Sequence, residues 1–182
     1  MNSLNSDQII RISKASIVLF ISFFGLLTTY NNFADYSTNY EYLAHILSMD
    51  TTLNQLKYSN RAITSPMLHH RIFWLIITLE IMFTLLCTIG AYYLYKNINT
   101  SKEAFHEAKK FAVIGLLIAI FIYYVCFQAI GIEWFNMDES TKWNYREWGR
   151  QAVDFIILSL IYIVLPIESR EPPLSPVSTE SR

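Results

Sequence analysis

The chain has 182 residues, of which 53% are apolar, 16% charged and 15% aromatic. Soluble domains carry about 25% charged residues, so this composition indicates one membrane-embedded domain rather than a soluble or disordered chain. A formal net charge of -1 excludes the basic surface of a nucleic-acid-binding protein, and two cysteines, Cys87 and Cys126, are too few for a disulfide scaffold or a cysteine-built zinc site.

Four apolar runs predict helices that cross a bilayer, whose hydrocarbon core of about 30 Å needs roughly 20 helical residues. The predicted spans are residues 12–32, 72–95, 111–132 and 150–167. The fourth span is short and is interrupted by Asp154. Because backbone groups in lipid must be satisfied internally, the expected fold is all-α, a four-helix transmembrane bundle over residues 1–167.

Local signals place the starts of two helices. Ser65 and Pro66 predict that the second spanning helix begins at Pro66, since proline fits the first helical position. Asn144 with Glu147 resembles a capping box, which predicts that the last helix begins near Tyr145.

Positive charge predicts the orientation of the bundle. Arg11 and Lys14 flank the start of the first span. Four lysines lie in the connector between the second and third spans: Lys96, Lys102, Lys109 and Lys110. Cationic flanks stay in the cytoplasm, so both termini are expected to be cytoplasmic. The acidic, proline-rich segment 168–182 is expected to form a disordered cytoplasmic tail.

The two opposite loops predict an ordered extracytoplasmic cap. In the first loop, Tyr40, Leu43, Ala44 and Leu47 recur at helical spacing and predict a short amphipathic helix. The second loop, residues 133–149, is rich in tryptophan. Anchoring at the membrane interface is the favoured role of these tryptophans over ligand stacking.

Polar residues inside the spans form a candidate site. Glu80, Gln128 and Asp154 are expected at similar depths in the outer half of the bilayer, with Arg150 above Asp154. One interpretation is a site for a small cation, a proton or a lipid head group. The favoured interpretation is a structural polar lock, in which Glu80 accepts interhelical hydrogen bonds and Asp154 pairs with Arg150.

Further candidates lie in the predicted cap. They are His69, His70, Asp50, Arg61, Glu133, Trp134 and Trp143. His69 and His70 are adjacent and point about 100° apart on a helix, so they do not form the i,i+4 pair that holds a metal. The sequence contains no recognised catalytic or phosphate-binding motif, so no catalytic residue, metal or cofactor is expected.

Small residues mark two helix contacts. Ser22, Gly25 and Thr29 share one face of the first span, and Ala112, Gly115 and Ala119 share one face of the third. Such stripes allow close backbone approach between helices in lipid.

Several short motifs resemble those of a known family. They are residues 48–52 (SMDTT), residues 61–66 (RAITSP), His69, His70, Trp74, Glu80, Gly131, residues 133–135 (EWF), Trp143 and Asn144. In this order, over about residues 9–167, they resemble the bacterial predicted small integral membrane proteins known as domain of unknown function 2165. The resemblance implies a four-helix bacterial inner-membrane protein and assigns no reaction.

The leading functional hypothesis is a non-catalytic interaction or accessory protein of the cell envelope, whose partners are membrane lipid, another membrane protein or a second copy. One alternative is proton or ion transport through Glu80, Gln128 and Asp154. The apolar stretches 113–122 and 158–165 argue against it, because a transport path would have to remain polar through to the inner side. Another is a membrane enzyme acting on lipid or quinone at the outer surface, with His69, His70 and Glu80 as acid-base groups.

Overall fold

A computed structural model describes residues 5–53 and 60–167, and these residues form helices and no strands. The α-helices are α1 (Ser6–Ala34), α2 (Tyr36–Ser48), α3 (Pro66–Lys96), α4 (Lys102–Ala108), α5 (Lys110–Ile120) and α6 (Arg146–Val164). Helix α5 continues into a π-helical segment, Phe121–Trp134, and a short 3-10 turn covers Met137–Glu139. The predicted all-α fold class is confirmed.

Three helical stretches of the described chain are long and apolar enough to cross a membrane: α1, α3 and the stretch from Lys102 to Trp134. Helix α6 was expected to be the fourth. It has 19 residues, but Arg146, Glu147, Arg150 and Asp154 make it less apolar than the other three. The tail predicted for residues 168–182 lies outside the described residues.

The helix starts follow local capping chemistry. Helix α3 begins at Pro66, as predicted. Helix α1 begins at Ser6, ahead of the predicted span 12–32, because Asn5 and Gln8 form a capping box with bonds of 2.8 and 3.0 Å. The capping box predicted for α6 is wrong. Its Asn144 accepts from the Arg146 amide at 3.1 Å, while Glu147 pairs with Arg150.

Helices α1 and α3 pack antiparallel along a seam of polar contacts. Ser16 bonds to Tyr95 at 2.7 Å, Ser22 to Thr88 at 2.6 Å and Asn32 to Glu80 at 2.6 Å. At Gly25 an added Cβ would lie 2.5 Å from the Phe83 ring, so a larger residue would push the helices apart. This confirms the close approach predicted for the first small-residue stripe.

Helices α3 and α5 also approach closely at small residues. A Cβ at Gly90 would lie 2.5 Å from the Ala112 backbone nitrogen, and one at Gly115 would lie 2.7 Å from the Cys87 sulfur. Ala112 and Ala119 are fully buried. The second predicted stripe is therefore a helix contact, and its partner on α3 includes Gly90.

Helix α6 runs antiparallel to α1. Its last turn is held by Lys14, whose ammonium donates to the carbonyls of Ile163 and Leu165, and by Ser13, which bonds to the Tyr162 hydroxyl at 2.6 Å. Its first turn meets α1 further along, where the rings of Trp148 and Phe24 lie 6.4 Å apart.

A belt of exposed apolar side chains surrounds the bundle. It includes Phe20 on α1, Leu85 on α3, Leu117 on α5 and Leu158 on α6. Exposed apolar surface of this extent is typical of a protein that faces lipid.

Candidate functional site

One end of the bundle is covered by a compact layer that we call the cap, formed by α2 with residues 49–53, 60–65 and 135–145. Ile46, Leu47 and Met49 pack against Phe135 and Met137 in an apolar cluster separate from the main core. Backbone and side-chain bonds join the segments. The Ile63 amide donates to the Leu47 carbonyl at 2.8 Å, and the hydroxyls of Thr51 and Ser140 lie 2.9 Å apart.

Four of the predicted cap candidates fall into two small groups. The Arg61 guanidinium lies 5.3 Å from the Trp134 ring and donates to its carbonyl at 3.3 Å. His45 pairs with Asp50 at 2.8 Å and stacks on Trp143 at 4.9 Å. These contacts hold loop segments together, and the sequence did not predict the pairing of His45 with Asp50.

The two adjacent histidines make separate contacts. His69 is buried and its Nε2 donates to the Ile63 carbonyl at 2.6 Å. His70 stacks on Tyr40 at 4.0 Å and bonds to the Tyr36 hydroxyl at 2.9 Å. Glu133, the remaining cap candidate, is exposed. Both histidines therefore hold the start of α3 against α2 and the neighbouring loop.

Glu80 lies inside the bundle, at the α1–α3 interface. It is only 4% exposed, and one carboxylate oxygen accepts a hydrogen bond from the Asn32 amide at 2.6 Å. Thr84, one turn further along α3, donates to the Glu80 carbonyl at 2.7 Å. Two hydroxyls, those of Thr29 and Tyr123, are buried without a hydrogen-bond partner in the described part of the chain.

The predicted convergence of Glu80, Gln128, Asp154 and Arg150 requires correction. No hydrogen bond or ion pair joins any two of them in the described residues, because each is engaged or oriented differently. Gln128 donates to the Arg146 carbonyl at 3.0 Å, and Arg150 pairs with Glu147 at 3.0 Å instead of Asp154. Asp154 is exposed on α6. A residue in another span, Asn32, is the partner of Glu80.

An apolar groove lies beneath α2, and its position follows from how α3 and α5 pack. The two helices touch at Gly90 and at Gly115, and beyond Gly115 they separate toward the cap. Larger side chains line the space between them, including Leu75 and Leu79 on α3 and Phe121 on the π-helical segment. This helix pair is therefore closed at one end and V-shaped at the other.

The groove has a volume of about 360 Å³, which is within the range of small-molecule sites. Its walls come from α2 (Tyr42, Leu43, Ile46, Leu47), α3 (Ile72, Leu75, Ile76, Leu79) and the π-helical segment (Phe121, Cys126, Phe127, Ile130, Gly131), with Ile63, Phe135 and Met137 at the cap. Tyr42 contributes a hydroxyl, which donates to the Met137 sulfur at 3.0 Å. Burial raises the pKa of Tyr42, so this hydroxyl stays neutral.

The π-helical winding determines which residues face the groove. The segment contributes Phe121, Cys126, Phe127, Ile130 and Gly131 to the groove, and the five-residue step from Phe121 to Cys126 matches its i→i+5 winding. The sequence predicted an ordinary α-helix through this region, and its mostly apolar composition gave no signal of the change. π-helical winding is rare in proteins, and the single π-turns that interrupt α-helices frequently occur at functional sites.

In the described ranges, no group of three or more histidine, cysteine or acidic side chains is placed to hold a metal ion. Cys87 and Cys126 are both free. The groove beneath α2 is lined almost entirely by apolar side chains, so its chemistry is apolar.

Comparison with known proteins gives a family. The family described as predicted small integral membrane protein (DUF2165) has a model that matches residues 10–166. Comparisons with curated proteins and with solved structures gave no match.

Proposed function

The chain belongs to this family of predicted small integral membrane proteins, and on that premise we propose that it is a non-catalytic accessory protein of the cell envelope that binds a lipid hydrocarbon chain. The apolar groove beneath α2 is the observation that carries the proposal. Apolar cavities stay dry and take up apolar ligands, and a bilayer offers hydrocarbon chains at high concentration.

We propose four spans, with α6 as the fourth. Its 19 residues extend about 28 Å, close to the thickness of the hydrocarbon core. Phe155, Leu158 and Ile161 are exposed on its surface and continue the apolar belt of the other helices. Helix α6 packs antiparallel to α1, and the fourth span of a four-span protein must cross the membrane in the direction opposite to the first.

This topology places both termini on one side, together with the connector between α3 and α4. Arg11 donates to the carbonyls of Ile98 and Thr100 at 3.0 and 2.7 Å, so the connector lies beside the start of α1. The lysines there favour the cytoplasm. We therefore place the chain in a bacterial inner membrane with an extracytoplasmic cap, and the groove in the outer leaflet.

The groove opens sideways toward lipid. Leu75, Phe121 and Ile130 line it and are each partly exposed on the same surface as the apolar belt. A hydrocarbon chain can enter between α3 and the π-helical segment without leaving the bilayer, while α2 and Met137 bound the end near the head group. Burial of each methylene group contributes about 0.8 kcal/mol, so part of one chain is sufficient for binding.

The alternatives have weaker support in the described contacts. For an enzyme, Glu80 lies ten residues beyond His70 on α3, about 15 Å along the axis, and both histidines are engaged with the segments around α2. For transport, no hydrogen bond joins Glu80, Gln128 and Asp154 to one another in the described ranges, so the contacts give no support to a polar path through them.

A photo-crosslinking experiment tests the proposal. A phospholipid with a diazirine in its acyl chain is incorporated with the protein into nanodiscs, and crosslinked peptides are identified by mass spectrometry. We expect labelling to concentrate on groove residues of α3 and the π-helical segment. Leu75→Trp places a larger side chain at the mouth and is expected to reduce groove labelling about tenfold, which corresponds to about 1.4 kcal/mol of lost binding.

Leu85→Trp is the matched control, because Leu85 is on the same helix, is 56% exposed compared with 58% for Leu75, and lies outside the groove. It is expected to leave groove labelling unchanged. Labelling spread evenly over the apolar belt, or equal groove labelling in both variants, would contradict lipid binding in the groove.

A further inference from the structure

The outward face of α6 carries a stripe of exposed residues that we call the α6 seam. It consists of Gln151, Asp154, Leu158 and Ile161 on the helix and continues to Leu165, the residue directly after its end. Their spacing alternates between three and four residues, which is the pattern of helices that pack side by side over several turns. The opposite face of α6, with Val153 and Ile156, is already buried in the bundle. The helix therefore has a second face suited to a helix partner.

Asp154 makes this face unsuited to lipid. In the proposed four-span topology, on which this inference rests, Asp154 lies four residues, about 6 Å, inside the start of the span 150–167, in the outer half of the bilayer. Its side chain is exposed and forms no ion pair in the described ranges, since Arg150 is paired with Glu147. Acidic side chains at this depth are costly and face protein or water.

We propose that the α6 seam binds a second copy of this chain, around a two-fold axis along the membrane normal. In such a dimer the two α6 helices run parallel, and residues of equal depth face each other. The lower part of the seam, Leu158, Ile161 and Leu165, supplies apolar packing, and Leu158 is the most exposed of these at 67%.

The polar part of the seam is complementary to itself. Each copy presents a donor, the Gln151 amide, about one turn from an acceptor, the Asp154 carboxylate, and the Arg150 guanidinium lies beside them. Two reciprocal sets of donor-to-carboxylate bonds can therefore form across the axis. The present pair of Arg150 with Glu147 is 60% and 67% exposed, so it contributes little and does not prevent Arg150 from turning to the partner's carboxylate.

Cysteine crosslinking in native membranes tests the dimer. Leu158→Cys is introduced into the full chain with Cys87 and Cys126 replaced by alanine, and the membranes are treated with copper phenanthroline. A disulfide needs Cα atoms within about 7 Å, so only facing positions react. We expect a disulfide-linked dimer for Leu158→Cys and Leu165→Cys, and none for Leu85→Cys, whose exposed position is on α3.

The polar contact is tested in the same assay. Asp154→Ala is expected to reduce the Leu158→Cys crosslink several-fold, while Asp154→Asn, which keeps hydrogen-bonding groups, retains most of it. Equal crosslinking at Leu158 and Leu85, a crosslink only to a different protein, or no effect of Asp154→Ala would overturn the proposal.

A second readout separates this proposal from the topology on which it rests. Reaction of Leu158→Cys with a membrane-impermeant maleimide would refute the fourth span itself. Protection from the maleimide without dimer crosslinking would refute only the second copy as the partner.

Discussion

Replacing Gly90 by alanine is expected to lower the free energy of unfolding by about 1–3 kcal/mol, the usual cost of overpacking. The added Cβ would lie 2.5 Å from the Ala112 backbone nitrogen and 2.7 Å from its Cα, and backbone atoms cannot move aside as a flexible side chain can. This loss is opposite in sign to the usual effect, since a glycine-to-alanine change in an unhindered helix raises the free energy of unfolding by up to about 1 kcal/mol. Equilibrium unfolding in mixed micelles, followed by circular dichroism, measures the loss.

Gly131→Ala is the matched control. There the nearest atom to an added Cβ, the Cys126 carbonyl oxygen, lies at 3.4 Å, which is an ordinary contact. We expect its unfolding free energy to stay within about 1 kcal/mol of the parent chain. If Gly90→Ala and Gly131→Ala were equally stable, the close contact of α3 with α5 would not be the fixed end of the bundle.

Asn32→Leu is expected to destabilise the chain by about 3 kcal/mol, because it removes the hydrogen-bond donor to the buried Glu80 carboxylate. A leucine of similar volume keeps most of the packing, so the loss reports mainly the unsatisfied acid. Unfolding in the same micelles measures it.

A double-mutant cycle isolates the interaction. Asn32→Leu combined with Glu80→Leu is expected to recover most of the stability, since replacing both partners of a buried polar pair by apolar groups is often nearly neutral. Glu80→Gln keeps an acceptor for Asn32 and is expected to cost less than Asn32→Leu. Additive losses in the double variant would contradict a direct pair and favour a separate role for Glu80.

The sequence predicted the helices well where their signal is local. Proline at Pro66 marks the start of α3, and the spacing of Tyr40, Leu43 and Leu47 predicts α2. The small-residue stripe at Ala112 and Gly115 predicts a helix contact, because only small side chains permit this approach. Composition and periodicity carry this information without knowledge of the neighbouring helix.

Pairings between helices were harder to predict. Glu80, Gln128 and Asp154 have similar predicted depths, but depth does not specify the rotation of each helix about its axis, and rotation decides which side chains meet. Asn32 is the last residue of the predicted span 12–32, and nothing in the sequence indicated that α1 continues to Ala34 and brings Asn32 to Glu80. The π-helical winding was also missed, since it depends on packing rather than on composition.

The V-shaped separation of α3 and α5 limits what the groove can discriminate. Along α3 its lining extends from Ile72 to Leu79, about 10 Å, and the helices converge again by Cys87 and Gly115. Only the part of a fatty tail nearest the glycerol fits within that depth, and the remainder passes out into the bilayer. Selectivity among lipids would then depend on branching or unsaturation in the first few carbons of the tail. Lipids whose tails differ only in total length would bind with similar affinity.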